Sequence, residues 1–214
     1  MYDEAYLEET HLVNIQDYEY LTGGKEHRAP VRLRKIYFNK DINYLGGVSI
    51  HHENFDRYSL NIKDFSDSRF VVERQSYREG TFYSKYTYLD KASCQKIMDG
   101  DIDWMERSQD SLLRDLYLQM KVNDLTPGVV VDYTREVYHM HYCSDMIMFD
   151  KSIKSAYDFD TKDVLIDNVF MKERLEEGNY VMTYHQPVIV PRVMANILNY
   201  REGKRLLVEA PAEF

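Results

Sequence analysis

Residues 31–38, V-R-L-R-K-I-Y-F, alternate along the chain. Arg32 and Arg34 share one face; Val31, Leu33 and, after Lys35, Tyr37 share the other. This is the period-two pattern of a half-buried strand. Residues 57–65 repeat it, with Leu60 and Ile62 facing one way and Ser59, Asn61 and Lys63 the other. Residues 69–75 and 81–88 read as two more strands, joined by a turn near Glu79-Gly80. Residues 129–154 read as a hairpin that turns at Cys143-Ser144-Asp145 and sets Arg135 inside an apolar alternating run. Residues 180–185 form one further strand.

Helical spacing appears between these runs. Asp90 can cap a helix over 91–98 that Gly100 stops. Ser108 can cap a longer one over 108–122, where Leu112, Leu113, Leu116 and Met120 follow the 3-4 spacing. Pro191 opens a last helix over 191–199. Residues 1–22 read as an amphipathic helix or an arm ended by Gly23-Gly24, and residues 158–177 as part helix, part loop. Gly46-Gly47 and His51-His52-Glu53 mark a loop or short helix. The pattern predicts an α+β fold: an antiparallel β-barrel or tunnel-like curved sheet with peripheral helices. The expected layout is an acidic arm or helix over 1–30, the strand-built domain over 31–200 and a tail over 201–214. Arg, Lys, Glu, Asn, Gln and His on the polar strand faces have two explanations. They line a tunnel, or they form the solvated outer face of an ordinary sheet.

Composition narrows the class. With 214 residues, 29% charged and 44% hydrophobic, the chain suits one globular domain. No apolar run approaches the roughly 20 residues of a membrane span. The start, Met1-Tyr2-Asp3-Glu4, is not that of a signal peptide. A cytoplasmic location is therefore expected. Cys94 and Cys143 are too few for a disulfide framework or metal cluster. The net charge of -9 argues against a nucleic-acid surface, and Asp3, Glu4, Glu8, Glu9, Asp17 and Glu19 concentrate it at the front. It does not argue against a basic cavity, because focusing depends on local arrangement.

Several side chains are weighed for chemistry. Glu73 is the best acidic candidate, with a surface cross-strand pair as the plain alternative; for Arg135 the plain alternative is a salt bridge in a barrel wall. His139 and His141 share a strand face without an evident third ligand, and His51-His52 read as a polar loop. Cys94 reads as packed and Cys143 as a turn residue without a histidine partner, so thiol catalysis is not expected.

Several phrases, in order, resemble one family. Arg34-Lys35-Ile36-Tyr37-Phe38-Asn39 is similar to Arg-Ser-Leu-Tyr-Phe-Asp; residues 57–65 are similar to Arg-x-Lys-x-Arg-x-Arg-x-Tyr. Val72-Glu73-Arg74-Gln75 is similar to Leu-Glu-x-Lys, and Ser84-Lys85 falls where a Ser-Lys or Thr-Lys follows. Ile97-Met98-Asp99-Gly100-Asp101 matches a short helix and its Gly-Asp. Asp132-Tyr133-Thr134-Arg135-Glu136-Val137-Tyr138, continued by Phe149-Asp150, matches best. Together, over about residues 31–192, these resemble the VTC domain, the polyphosphate polymerase-like branch of the triphosphate tunnel enzymes.

The resemblance implies a closed tunnel whose Arg and Lys bind polyphosphate or a nucleoside triphosphate and whose Glu residues hold Mn or Mg. Arg matches phosphate oxygens bidentately, and a hard cation neutralises developing charge. Carried over by position, Arg34, Arg57, Lys63, Lys85 and Arg135 would bind substrate. Glu73 and Lys85 would serve catalysis, and Glu73 would hold the metal.

The departures are as informative. Asn61, Gln75 and Met146 stand where the family has Arg, Lys and Arg, and Met148 replaces a Thr. Thr183 and His185 fall at the Glu and Lys of Leu-Glu-Val-Lys, where that Glu is the metal ligand. The opening Glu-x-Lys strand is not visible before Val31, nor the closing Ser-Lys-Tyr segment after Asn199. Each lost charge-assisted contact to phosphate costs about 1.5–3 kcal/mol. The expectation is thus a divergent phosphate-binding domain with weak or lost transferase activity, using Mn or Mg if active and otherwise no cofactor. The alternative is a non-catalytic scaffold or protein-interaction module, with a protein partner or a second copy bound where a missing strand leaves the barrel open.

Overall fold

Strands with one apolar face need that face covered, and here the cover is supplied by the helices that interrupt them. The computed structural model describes residues 4–23, 29–38, 54–65, 70–139 and 145–187. In chain order the elements are β1 (Glu4–Asn14), α1 (Ile15–Thr22), β2 (Val31–Phe38), β3 (Phe55–Lys63), β4 (Phe70–Arg78), β5 (Thr81–Leu89) and α2 (Lys91–Met98). A 3-10 turn (Asp103–Arg107) leads to α3 (Ser111–Val122), then β6 (Pro127–His139), β7 (Met146–Ala156), β8 (Lys172–Glu173) and β9 (Asn179–Pro187).

The strands pair antiparallel in the order β6-β2-β3-β4-β5-β1-β9-β7, and β7 pairs back onto β6. Eight strands thus close a barrel, with the two-residue β8 on the far end of β7. The first residues differ from the expected arm or helix. Residues 4–14 are a full strand that joins β5 to β9, and only Ile15–Thr22 is helical. Asn14 ends the strand and caps the helix, accepting from the Gln16 and Asp17 N–H groups. Because β1 fills the gap, the barrel has no open edge at that position, contrary to the missing-strand expectation.

Local signals account for the other boundaries. The β4–β5 hairpin turns on Glu79 (φ 49°) and Gly80 (φ 84°), both in the left-handed region that a two-residue primed turn requires. Asp90 caps α2 through the Ser93 N–H. Asp110 rather than Ser108 caps α3, accepting from the Leu112 N–H at 2.7 Å, so α3 starts three residues later than expected. The expected features at 46–53, at 143–144, over 191–199 and over 201–214 lie outside the described residues. Among the described residues no helix is long and apolar enough to cross a membrane.

The main core lies outside the barrel. Ile36, Phe38, Leu60, Ile62, Phe70, Val72 and Val130 project outward from β2, β3, β4 and β6. They meet Cys94 and Ile97 of α2, Met105 of the 3-10 turn, Leu112, Leu113 and Leu116 of α3, and Val164 and Leu165 from the turns after β7. Each of these side chains is worth about 1.5–3 kcal/mol on burial. Since alternate residues point to opposite faces, committing the apolar set to the helices turns the polar set into the lumen. This decides between the two explanations of the polar faces.

Candidate functional site

Register places the lumen residues. Lys35 pairs with Asn61 and Val131; Arg57 pairs with Gln75, and Ser59 with Glu73. Arg135 is opposite Asp150, Met148 opposite Thr183, and His185 opposite both Met146 and Glu8. All stand out of phase with the outward core, so they face inward. Asn61, Gln75, Met146, Thr183 and His185, where the resemblance implies charge, and Met148, where it implies Thr, are therefore lumen positions.

Of the residues expected to converge, Arg57, Glu73 and Arg135 face the lumen, and Lys63 ends β3 in the same phase, exposed at the rim. Arg34 and Lys85 do not. Arg34 is 1% exposed on the outer side of β2. It donates to the Asp132 carboxylate through Nε (2.6 Å) and Nη2 (2.8 Å), and to the Val164 (3.0 Å) and Ile166 (2.8 Å) carbonyls. Its guanidinium ties the turns after β7 to the barrel wall. Lys85 pairs with Arg74 across the outer face and donates to Ser111 of α3. The converged-face expectation is corrected for these two. One residue's difference in phase moves a side chain through the wall.

Lys35 takes the inward place beside Arg34. Its Nζ lies 3.2 Å from Glu73 Oε2, which also accepts from Asn61 Nδ2 at 2.8 Å; Glu73 Oε1 accepts from Ser84 Oγ at 3.0 Å. The Ser84 hydroxyl lies 3.0 Å from the Tyr6 hydroxyl, and Gln75 Nε2 donates to Tyr6 at 2.8 Å. Across the lumen, Arg135 grips Asp150 through Nε and Nη2, both at 2.7 Å. Arg57 lies over the Phe55 (5.1 Å) and Tyr37 (5.7 Å) rings.

Glu8 of β1 faces this set and was not anticipated. Burial pushes its carboxyl pKa up, against the pull of Arg135, Lys35 and Arg57, and Glu73 adds to the rise. Glu73 behaves in the opposite way. Burial would raise it, but Lys35, Asn61 and Ser84 outweigh burial and hold it at about 2. Burial works against the Lys35 ammonium and the Arg135 guanidinium. Glu73 with Tyr133 and Tyr37 for Lys35, and Asp150 with Tyr133 and Glu8 for Arg135, together outweigh it, and both cations are raised. Burial and then Arg135 lower His185, which keeps it neutral near pH 7. Two acids in one cavity thus have separated affinities for protons.

The signal for these residues lay in phase. Once Ile36 and Phe38 are outward, Lys35 must be inward with Leu33 and Tyr37. In β1, Tyr6, Glu8 and Thr10 form one alternate set, so Glu8-x-Thr10 stands in the opening strand that the sequence reading did not see.

A resident Mn or Mg does not fit this arrangement. Both Glu73 oxygens already accept from donors, one of them an ammonium, and Thr183 offers no charge. Among the described residues no three His, Cys, Asp or Glu side chains group as a metal cage. His139 is exposed at the end of β6, while His51, His52 and His141 lie outside the described residues. Cys94 is packed in the core, and burial lifts its thiol to about 12, as expected of an inert cysteine.

No curated protein matches the sequence. Among solved structures, a candidate adenylyl cyclase from Hippeastrum, described as having a dominant triphosphatase activity, is 12% identical with a TM-score of 0.49; the alignment covers 97% of this chain and 90% of that one. The PH1819 protein of Pyrococcus horikoshii is 11% identical with a TM-score of 0.48, over 96% and 92%. A candidate adenylate cyclase from Bacillus halodurans is 10% identical with a TM-score of 0.49, over 100% and 96%. The VTC domain profile matches residues 16–200, which takes in every strand from β2 to β9 and therefore Lys35, Arg57, Glu73, Arg135 and Asp150 of the lumen. With that span matched, the chain belongs to the VTC domain family.

Proposed function

We propose that the lumen of this divergent, polyphosphate polymerase-like domain binds a triphosphate or polyphosphate chain, with phosphoryl transfer weak or lost. The observation that carries the reading is convergence. Lys35 from β2, Arg57 from β3 and Arg135 from β6 all stand on the lumen side of their strands, as does Glu8 of β1. Cations from separate strands around one lumen favour an anion there. Lys35 and Arg135 are already paired with Glu73 and Asp150, so a phosphate chain competes with those carboxylates for the same donors. Glu8 is the acid that yields, since its raised pKa lets it accept a proton as the anion enters.

Weak turnover follows from what the wall lacks. Asn61, Gln75, Met146, Thr183 and neutral His185 put no charge where phosphoryl transfer needs it, and Lys85 is on the other side of the wall. Transfer depends on positioning and charge neutralisation more than on covalent chemistry, so a wall that holds phosphate can still fail to move it. The internal ion pairs favour one alternative, a self-neutralised barrel used as a scaffold for a protein partner.

Calorimetry with tripolyphosphate at low salt separates the two. Binding is expected between micromolar and millimolar, about 4–8 kcal/mol. It should weaken as salt rises and as Arg57 is changed to alanine. No heat at low salt, or equal binding by wild type and Arg57→Ala, would support the scaffold instead.

A further inference from the structure

Three neighbouring strands, β6, β7 and β9, carry a group of soft side chains on the lumen face. His139 is the register partner of Met146, and Met146 is the register partner of His185. Met148 lies two residues further along β7, opposite Val137 and Thr183. Glu136 and Tyr138 face outward to Tyr18 of α1, so His139 takes the inner phase of β6 together with Arg135. Two imidazoles and two thioethers therefore share one face, with Met146 between the histidines. Paired side chains on such a face start about 5 Å apart, and alternate residues of one strand about 7 Å apart.

Phosphate binding has no use for this group. A thioether donates nothing to a phosphate oxygen, and His185 is neutral near pH 7. Met146, Met148 and His185 stand where the resemblance implies Arg, Thr and Lys, so three donors to phosphate have become ligands of another kind, side by side. Their exposure suits a site entered from the barrel end. His139 is exposed, Met146 and His185 are half-buried, and Met148 is buried on the inner side. Unbranched methionines can swing their sulfur towards a common point. The His185 ring is held edge-on against Tyr6, with centroids 4.1 Å apart, and its burial favours the neutral imidazole that ligates metals.

Ligand softness decides the ion. Thioether sulfur selects Cu(I), imidazole accepts copper readily, and Mn and Mg want carboxylate oxygen instead. The charges nearby permit a monovalent cation. Arg135 stands four residues from His139 on the same strand, about 13 Å away, with its guanidinium gripped by Asp150. Glu8 is the register partner of His185 on its other side.

We infer that His139, Met146, Met148 and His185 form a Cu(I) site at the end of the lumen built by β6, β7 and β9. The site goes beyond the phosphate reading and stands independently of it.

The test is anaerobic titration of the full chain with Cu(I) in competition with the colorimetric chelator bicinchoninate, followed by copper X-ray absorption of the loaded protein. One Cu(I) per chain should be held, with both nitrogen and sulfur in its shell, and excess Mn or Mg should not displace it. His139→Ala, Met146→Leu and Met148→Leu should each weaken Cu(I) at least about tenfold. The methionine changes nearly conserve volume and His139 is exposed, so these variants should fold. Cys143→Ser controls for binding by the thiol and should stay within about twofold of wild type. No Cu(I) retained against the chelator, a shell without sulfur, or wild-type affinity in both methionine variants overturns the site. So does loss of binding on Cys143→Ser alone. Tripolyphosphate calorimetry on the same samples reads the phosphate proposal separately, so either reading can fail without the other.

Discussion

Arg34 and Lys35 are consecutive in the chain and stand on opposite sides of the barrel wall. Arg34 is sealed on the outer side against Asp132 and the Val164 and Ile166 carbonyls, and Lys35 reaches into the lumen to Glu73. One is structural and the other belongs to the candidate site, so their alanine variants should separate. Among the described residues, Arg34→Ala leaves the buried Asp132 with Arg32 as its remaining ion-pair partner and should cost about 3–5 kcal/mol in denaturant titration. The protein that remains folded should bind tripolyphosphate as wild type does. Lys35→Ala should weaken that binding. An Arg34→Ala protein of normal stability and poor affinity would show the assignment reversed.

The two halves of the Arg135–Asp150 pair should act with opposite sign. Arg135→Ala removes donors to phosphate and should weaken tripolyphosphate. Asp150→Asn removes the internal competitor and should strengthen it, by about 1.4 kcal/mol or tenfold. Titration calorimetry at fixed ionic strength reads both, and weakening by both variants would count against competition inside the lumen.

Glu73 and Glu8 should pull the pH dependence of stability in opposite directions. The folded pKa of Glu73 lies below that of an unfolded glutamate, so its stabilisation is present above roughly pH 4.3 and fades as pH falls towards about 2. Glu73→Gln should therefore be less stable than wild type at neutral pH, by about 2–3 kcal/mol, and approach it near pH 2. Glu8 is raised, so stability is lost as pH rises from about 4.3 to the folded pKa, and the cost is full above that value and gone below about 4.3. Glu8→Gln should be the more stable protein at neutral pH. It should also abolish the proton uptake that accompanies anion binding, measurable by calorimetry in buffers of different ionisation enthalpy.

Synthesis of polyphosphate from ATP with added Mn or Mg should be weak or absent. Thr183 and Met146 leave the wall without charge at two places, and Glu73 is held by Lys35, Asn61 and Ser84. Robust conversion, abolished by Glu73→Gln, would restore an active transferase.

Lys85→Ala provides a control on the outer face. The Lys85–Ser111 contact fastens β5 to α3, so its loss should lower stability by about 0–1 kcal/mol. Affinity for tripolyphosphate should not move. A drop in affinity would return Lys85 to the lumen.

Much of the fold was legible because alternation and caps are local. The helix over 91–98, the turn at Glu79-Gly80 and the strands at 31–38 and 180–185 follow from side-chain periodicity and from Asp90 and Gly80. Phase also put Asn61 with Lys63, and Glu73 with Gln75. The strand β1 escaped notice because its acidic residues read as a solvated helix or arm. A strand's faces become a lumen and a wall only when β5 and β9 pair with it, and those partners lie nearly 80 and some 170 residues away in the chain.

The chain by itself determined that there are two faces to each strand and which residues share one. It also carried the ordered phrases, from Arg34 to Asp150, through which the family could be recognised. It did not determine which face is inside, because period-two alternation is symmetric until one face finds a partner. Tertiary structure made that choice when α2, the 3-10 turn and α3 covered Ile36, Leu60, Ile62 and Val72. Closure of β7 onto β6 then enclosed what was left. The same choice sent Arg34 and Lys85 outward, and drew Lys35 and Glu8 inward in phase with Arg57 and Arg135. Burying the apolar face is worth several kcal/mol and the polar face has no comparable preference, so packing outside the barrel decided the chemistry within it.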